Sequence, residues 1–403
     1  MTTAALAFPR VQRPVLVIAL VVAAALFVHL LTFSPKHSLL LLIGLGLGVA
    51  LYHAAFGFTG AYRQVIVEGD ISGVTAQLVM LAAATVLFAP ILAQGEAFGH
   101  GAGGAVAPVG ISMALGAFVF GIGMQLGSGC ASGTLFAAGG GNLRMILVLA
   151  FFCTGAFWAS LHMDWWWELP ELGSISLAET LGYELALPIQ LGVLGLIFLI
   201  LRTSGGTFKK SLWWDGEFSW RRLLHGPWPL LFSAALLAAL NWAVLLVAGH
   251  AWTITWAFGL WAAKVAVFLG WDPLTSPFWT GGFQEKALMR SLLLDNISVI
   301  NFGIVLGALG AASLAGKAGA AMRLPRATLV ASLTSIVIGG LLMGYGARLA
   351  YGCNIGAFFS GVASTSLHGW VWILMAIPGN VVGVYLRPLF GMDGRRLFAS
   401  GSP

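Results

Sequence analysis

The chain has 403 residues, of which 59% are hydrophobic and only 8% are charged. Soluble domains carry about 25% charged residues, so this composition excludes a soluble protein and predicts an integral membrane protein. The apolar runs are long and continuous, which excludes the short alternating strands of a membrane β-barrel. The net charge of +6 is typical of cytoplasmic loops in a multi-span protein and predicts no nucleic-acid partner. The predicted fold is an all-α polytopic helical bundle in the lipid bilayer.

Eleven apolar runs approach the roughly 20 residues that a membrane-spanning helix needs. They are 14–33, 38–56, 73–94, 105–122, 144–162, 184–202, 228–248, 251–270, 297–316, 327–346 and 366–389. Four glycine-rich stretches, at 57–66, 123–142, 275–294 and 347–362, are too short or too broken to span alone. They are predicted to be re-entrant loops or half-helices, which membranes tolerate only where protein or a water-filled cavity surrounds them.

A polar loop at 203–226 divides the chain into an N-terminal membrane repeat, 1–202, and a C-terminal membrane repeat, 227–403. Lysines and arginines mark cytoplasmic segments, and tryptophans anchor chains at the membrane interface. The basic residues of the loop are Lys209, Lys210, Arg221 and Arg222, and its tryptophans are Trp213, Trp214 and Trp220. By the same rule the chain ends are predicted to be cytoplasmic, from Arg10 and Arg13 at one end and Arg387, Arg395 and Arg396 at the other.

Two segments repeat at a constant offset of 223 residues. GIGMQLGSGCASGTLF (121–136) and GYGARLAYGCNIGAFF (344–359) share the frame G-x-G-x2-L-x2-G-C-x2-G and place two of the three cysteines in register. Broken segments precede both, FGFTGAYRQ (56–64) and FWTGGFQEK (278–286). Interrupted segments in corresponding halves predict a transport site near the middle of the membrane.

The basic residues of the 317–326 loop, Lys317, Arg323 and Arg326, predict that this loop is cytoplasmic. The second motif would then run in the opposite sense to the first, which is an inverted repeat. The eleven spans do not give the parity that this orientation requires between 226 and 317. One segment there is therefore miscounted, with 275–294 as a candidate for crossing as two half-helices.

Cys130 and Cys353 are predicted to bind substrate in a narrow passage. The glycines around them, Gly129, Gly133, Gly352 and Gly356, let the backbone approach a ligand closely. A broken helix exposes N–H groups that suit an anion, and a thiol is a soft donor. A thiol would pass such a ligand along, whereas a thiolate would act as a nucleophile, and both states stay open.

Three further positions are candidates for substrate binding. Asn354 follows the second cysteine and could donate its amide N–H groups to a ligand or cap a half-helix. Gln125 and Arg348 occupy equivalent positions of the two motifs. An arginine at membrane depth is costly and suggests anion attraction, with snorkelling to the interface as the alternative.

The paired G-C-x2-G loops and the upstream GFTGAYRQ segment resemble the YeeE/YedE sulphur transport family, over roughly 45 to 390. The resemblance implies an inverted-repeat helical fold, a bacterial inner-membrane location and import of thiosulfate through an hourglass passage lined by cysteines. Cys130 and Cys353 would be its central relay cysteines. The family's outermost cysteine lies in the first re-entrant segment; because this segment reads Gly57-Phe58-Thr59-Gly60, Thr59 is the candidate for its place.

Several alternatives stay open from the sequence. The substrate could be thiosulfate, another reduced sulfur species or a selenium compound. A membrane thiol or persulfide-handling oxidoreductase is the main alternative class, although the chain has no CxxC pair, and the widely spaced cysteines argue against a zinc site. A cytosolic sulfur carrier protein could dock at the 203–226 loop. Neither a nucleotide-binding motif nor a cofactor site is predicted, and Cys153, in an apolar helix, receives no role.

Overall fold

The computed structural model describes residues 10–214, 219–322 and 329–394. Within these ranges, ten helical stretches are long and apolar enough to cross a membrane: Arg13–Leu31, Pro35–Glu68, Ser72–Gln94, Ile111–Gly139, Leu143–Ser160, Tyr183–Thr203, Leu230–Ala248, Asn296–Leu314, Leu329–Ala363 and Leu367–Phe390. The predicted polytopic helical membrane protein is confirmed. Four of the arginines that predict cytoplasmic segments lie outside the described residues, namely Arg323, Arg326, Arg395 and Arg396.

The helices of the N-terminal half are α1 (Arg13–Leu31), α2 (Pro35–His53), α3 (Phe58–Glu68), α4 (Ser72–Gln94), α5 (Ile111–Gly127), α6 (Ala131–Gly139), α7 (Leu143–Ser160), α8 (Met163–Trp167), α9 (Leu177–Leu181) and α10 (Tyr183–Thr203). Short strands pair in two antiparallel ribbons, β1 (Glu96–Ala97) with β2 (His100–Gly101) and β3 (Pro108–Gly110) with β4 (Glu171–Ser174).

The remaining helices are α11 (Trp220–His225), α12 (Leu230–Ala248), α13 (Thr255–Phe268), α14 (Gly282–Met289), α15 (Asn296–Leu314), α16 (Leu329–Leu349), α17 (Ser360–Ala363) and α18 (Leu367–Leu386). A π-helical turn, Asn354–Phe359, leads directly into α17. Short 3-10 turns lie at Pro273–Thr275, Pro277–Trp279, Leu292–Leu294 and Arg387–Phe390.

Glycines bring the central helices into close contact, as small residues do in membrane bundles. A Cβ on Gly116 of α5 would lie 2.7 Å from the carbonyl oxygen of Gly346 in α16, and one on Gly123 would lie 3.0 Å from that of Gly339. The residue number rises along α5 while it falls along α16, so the two helices are antiparallel. Alongside this pair, α5 packs against α18 and α16 packs against α7.

The predicted span 105–122 begins later than expected. Helix α5 starts at Ile111, and residues 108–110 form strand β3 instead. Pro108 lacks a backbone N–H and fixes its φ angle, so it suits a short edge strand at the entry to a helix better than the interior of a span.

The predicted span 251–270 is not a crossing. Helix α13 has 14 residues, about 21 Å at 1.5 Å per residue, which is shorter than the roughly 30 Å hydrocarbon core. The chain before it turns back into the bundle, where the backbone N–H of Trp252 donates to Oδ1 of Asn241 at 2.8 Å. Residues 249–254 and α13 therefore form a re-entrant hairpin.

The segment between α12 and α15 begins and ends at the same end of the bundle. Lys36, at the start of α2, donates to the carbonyl oxygen of Ala248 at 3.2 Å. His250 and Asn296, which flank the segment, are joined by a hydrogen bond of 3.2 Å. The miscounted segment is therefore 251–270, and 275–294 does not cross either, which removes the parity conflict.

Candidate functional site

The first repeated motif folds as a helix, a left-handed turn and a second helix that begins at its cysteine. Helix α5 ends at Gly127, and Ser128 adopts a φ of +65°. Cys130 is the N-cap residue of α6, and its sulfur accepts the backbone N–H of Gly133 at 3.4 Å. The same sulfur lies 3.3 Å from Oγ of Ser132. The thiol thus replaces the usual N-cap oxygen.

The second motif adopts the same local structure. After α16 ends at Leu349, Tyr351 has a φ of +57° and Gly352 a φ of +150°. Cys353 is the N-cap residue of the π-helical turn, and its sulfur accepts the N–H of Ile355 at 3.4 Å. Ser128 and Tyr351 are separated by 223 residues, and both hold a left-handed conformation that non-glycine residues rarely adopt.

The two cysteines lie at the centre of the molecule. Cys130 is 1% exposed and Cys353 is fully buried. Helix α6, which Cys130 caps, contacts the π-helical turn that Cys353 caps. Cys153 lies elsewhere, partly buried on α7, and all three thiols are free.

Each of the four predicted glycines lies in a cysteine loop, where other atoms approach the position that a Cβ would take. A Cβ on Gly133 would lie 3.4 Å from the sulfur of Cys130, and one on Gly129 would lie 3.0 Å from Oγ1 of Thr134. A Cβ on Gly352 would lie 2.8 Å from a backbone nitrogen, and one on Gly356 would lie 2.5 Å from Oγ1 of Thr253. A larger residue at Gly352 or Gly356 would have to displace its neighbours.

Cavities approach the paired loops from two sides. A cavity of about 260 Å³ reaches Cys130 and is also lined by Thr59, Gly129, Gly133 and Lys210. Two cavities of about 380 Å³ and 470 Å³ reach the second loop at Gly352 and Gly356 respectively. Those two cavities share Thr253, Phe283, Ile297 and Tyr351 in their linings. The cysteine loops stand between the first cavity and the other two.

Lys210 belongs to the linker loop and reaches the first cavity because the loop is fixed to the corner between α3 and α4. The Asp70 carboxylate accepts hydrogen bonds from the Ser72 hydroxyl, at 2.5 Å, and from the backbone N–H of Lys209, at 3.3 Å. Burial acts to raise the pKa of Asp70, but these hydrogen bonds outweigh it, so the pKa lies below its usual value. Asp70 is therefore an anion at neutral pH and holds the loop in place.

Arg348 lies in the lining of the 380 Å³ cavity. Its guanidinium carbon stands 5.4 Å from the ring centre of Trp256 and 5.1 Å from that of Phe278. Its Nε atom is buried and has no hydrogen-bond partner among the described residues. The cation thus faces an aromatic cavity, and no carboxylate of the described residues forms an ion pair with it. Both the anion-attracting role and the snorkelling alternative stay predictions.

Gln125 donates two hydrogen bonds to residues of neighbouring helices. Its side-chain N–H groups donate to the carbonyl oxygen of Thr59, at 3.2 Å, and to Oδ1 of Asn380, at 2.8 Å. These bonds tie α3 and α18 to α5. The structure therefore connects Gln125 to the backbone of Thr59, and its role in substrate binding stays a prediction.

One residue that the sequence did not single out lies beside the second cysteine loop. Tyr62 is 7% exposed and lies one turn after Phe58 on α3, and the Phe58 ring centre stands 6.4 Å from that of Phe358 in the π-helical turn. Thr59 and Tyr62 are three residues apart on α3, so they share a helix face. The segment FTGAYRQ carried this signal, because its i, i+3 pair of hydroxyl residues follows the break in the helix.

This chain is similar to a family described as sulphur transport and to proteins that are named as transporters. A profile described as sulphur transport matches residues 53–382. The chain is 29% identical over 349 residues to the thiosulfate transporter TsuA of Spirochaeta thermophila, which covers 84% of this chain and 96% of that protein. It is 26% identical over 364 residues to the thiosulfate transporter TsuA of Escherichia coli, covering 86% and 94%. The probable transporter YedE of Escherichia coli matches at 28% over 180 residues, covering 44% of this chain and 42% of YedE.

Proposed function

The chain belongs to the sulphur transport family, and we propose that it imports thiosulfate or a closely related sulfur anion across the inner membrane of a bacterium. It is a multi-pass membrane protein, and its relatives are named as transporters, not enzymes. One observation carries the proposal about the route: two buried cysteines cap two broken helices between cavities that approach from two sides.

The proposed passage runs from the Arg348 cavity, past Cys353 and Cys130, to the Lys210 cavity. Arg348 lies in the first of these cavities and Lys210 in the last, so a cation is available to attract the anion on each side. Between them the ligand would meet thiols and backbone N–H groups instead of fixed charges. Weak, uncharged contacts at a constriction favour release onward, as conduction requires.

The thiol state of the cysteines suits this role. A thiolate in the constriction would repel an anion, whereas a thiol can donate its S–H to the ligand while its sulfur accepts the capping N–H. The capping bonds use each sulfur as an acceptor, so the S–H of Cys353 is available, and that of Cys130 is available when the Ser132 hydroxyl is the donor in their mutual hydrogen bond. The anion is passed between donors, and no covalent bond to sulfur is needed.

An inverted repeat supports alternating or symmetric access to this passage. The close contact of Gly123 with Gly339 corresponds, after a shift of 223 residues, to the contact of Gly346 with Gly116. Equivalent helices that are antiparallel and exchange their contacts are what an inverted repeat requires. In the proposed orientation both chain ends and the 203–226 loop face the cytoplasm, and a cytosolic sulfur carrier would dock at that loop beside Lys210.

The test is uptake of radiolabelled thiosulfate in bacteria that lack their own sulfate and thiosulfate importers. The cells would express the parent chain, Cys130→Ala, Cys353→Ala or the control Cys153→Ala, with equal membrane levels verified for each. We expect uptake with the parent and with Cys153→Ala, and loss of at least about tenfold in the other two, which is the factor that about 1.4 kcal/mol produces.

Full uptake by Cys130→Ala and Cys353→Ala at normal expression would contradict the cysteine passage and leave those residues as helix-packing groups. Absence of uptake with a well-expressed parent would contradict thiosulfate as the substrate. The same cells would then be tested with other reduced sulfur anions and with selenium oxyanions.

A further inference from the structure

Two buried polar side chains between the cysteine loops lack hydrogen-bond partners. Asn354 is fully buried, and neither its Oδ1 nor its Nδ2 atom has a partner among the described residues. The Tyr62 hydroxyl is likewise unpaired among those residues, and its helix contacts the π-helical turn, since the ring centres of Phe58 and Phe358 lie 6.4 Å apart. Buried polar groups are nearly always hydrogen-bonded, so two neighbouring exceptions call for a physical explanation.

The positions of these groups fit a ligand between the cysteines. Tyr62 projects from α3, one turn after Thr59, whose side chain lines the cavity at Cys130 and whose Oγ1 is also unpaired. Asn354 follows Cys353 directly and opens the π-helical turn. The unpaired donors thus come from both halves of the chain and lie on the two elements that the Phe58–Phe358 contact joins.

Their chemistry complements the thiols. A phenol O–H and an amide NH₂ are hard donors that suit oxygen atoms, whereas thiols are soft and polarisable and suit sulfur. Neither Tyr62 nor Asn354 carries a charge at neutral pH, so together they can orient an anion without holding it as a lysine or arginine would.

We propose that the Tyr62 hydroxyl and the Asn354 amide bind the oxygen atoms of the transported anion while it lies between Cys130 and Cys353. The inference rests on the proposed function and deepens it. It makes the substrate class a sulfur oxyanion with an exposed sulfur end, whose oxygens meet the hard donors and whose sulfur meets the thiols.

The experiment measures initial rates of thiosulfate uptake in proteoliposomes over a range of thiosulfate concentrations. Tyr62→Phe removes the hydroxyl but keeps the ring that contacts Phe58 at 6.2 Å. Asn354→Leu keeps the branching of the side chain and replaces both polar amide atoms with methyl groups. The control is Tyr385→Phe on α18, since the Tyr385 hydroxyl is not among the buried polar atoms that lack a partner.

We expect Tyr62→Phe and Asn354→Leu each to raise the KM for thiosulfate by roughly tenfold to a hundredfold, which is the range for a hydrogen bond to an ion. The double variant should cost less than the product of the two single effects, because both donors bind one ligand. Tyr385→Phe should behave as the parent.

A parent KM that both single variants retain, with uptake still abolished in Cys130→Ala, would overturn this inference and leave the proposed function intact. If the parent chain itself showed no thiosulfate uptake, that result would count against the proposed function instead. A fall in maximal rate with unchanged KM and a lowered melting temperature would assign Tyr62 and Asn354 to packing, and would also overturn the inference.

Discussion

Arg348 is a cation inside the bundle that faces aromatic rings and a cavity, with no acidic partner among the described residues. We predict that Arg348→Gln raises the KM for thiosulfate by about tenfold or more, since it removes a charged donor for an anion. Its melting temperature should change little, because the lost cation–π contacts, about 1–2 kcal/mol, are offset by relief from burying an unpaired charge.

The matched control for this substitution is Arg348→Lys, which retains the charge but not the planar group that packs on Trp256. An intermediate KM is expected for it, measured by the same uptake assay, with thermal unfolding in detergent measured in parallel. If Arg348→Gln unfolds at a much lower temperature and keeps the parent KM, Arg348 is a packing residue.

The sequence predicted the cysteines of the site because a rare residue occurs twice in one register. Cys130 and Cys353 are two of three cysteines in the chain, and their glycine frame fixed the local turn. Tyr62 could not be predicted in this way. Its proposed role rests on an unpaired hydroxyl near the π-helical turn, and this position depends on the packing of two halves that are far apart in sequence.

Gln125 shows that equivalent positions in the repeat can have side chains with different contacts. Its position in the repeat is equivalent to that of Arg348, yet its side chain is used to hold Thr59 and Asn380. The repeat thus predicts the backbone at these positions but not the role of each side chain, because the two halves meet different neighbours.

At the scale of helices, the crossing of α5 and α16 depends on glycine. A Cβ at Gly346 would lie 2.5 Å from the carbonyl oxygen of Gly116, so the helices must separate to accept it. We predict that Gly346→Ala destabilises the protein by roughly 1–3 kcal/mol, the usual cost of overpacking. The measurement is thermal unfolding in detergent, together with thiosulfate uptake, which should fall because the cysteine loops of the proposed passage follow the ends of these two helices.

Gly192→Ala on α10 is the matched control for this helix–helix contact. No atom lies within 4 Å of a Cβ placed there, so this change should leave uptake intact and should not lower the melting temperature, as alanine favours helix. Equal melting temperatures for the two variants would show that α5 and α16 can adjust at no cost.

Helix boundaries were predictable where long apolar runs are unbroken, as in α4 and α10. The prediction was wrong for 251–270, since composition alone does not distinguish an apolar helix that crosses from one that turns back. The evidence for the turn is tertiary: Trp252 bonds to Asn241 in the preceding helix, and Asn296, at the other end of the segment, bonds to His250.

At the scale of the whole molecule, the re-entrant hairpin fixes which loops share a side of the membrane. The segment 249–295 starts and ends at one end of the bundle, and α15 then leads to the opposite end, where Gln12 donates to the carbonyl oxygen of Ala318 at 3.1 Å. The basic residues Arg10 and Arg13 are close in sequence to Gln12, and Lys317 directly precedes Ala318. This end of the bundle therefore carries positive charge. Positive charge favours the cytoplasm, so 249–295 is expected outside.

We predict that a membrane-impermeant maleimide labels Leu274→Cys in intact spheroplasts and labels Met322→Cys only after lysis. The two positions are 79% and 52% exposed, so both thiols are accessible once the reagent reaches their side, while native Cys130 and Cys353 are buried. The parent chain serves as the control for labelling of native thiols.

The reverse labelling pattern would mean that the protein has the opposite orientation in the membrane. Arg348 would then face the cytoplasm and Lys210 the outside, and the proposed passage would have to work in export. Labelling of both positions from outside would instead require that 275–294 crosses the membrane as well as α15. Because His250 and Asn296 are joined, 251–270 would then have to cross too, and its re-entrant assignment would be wrong.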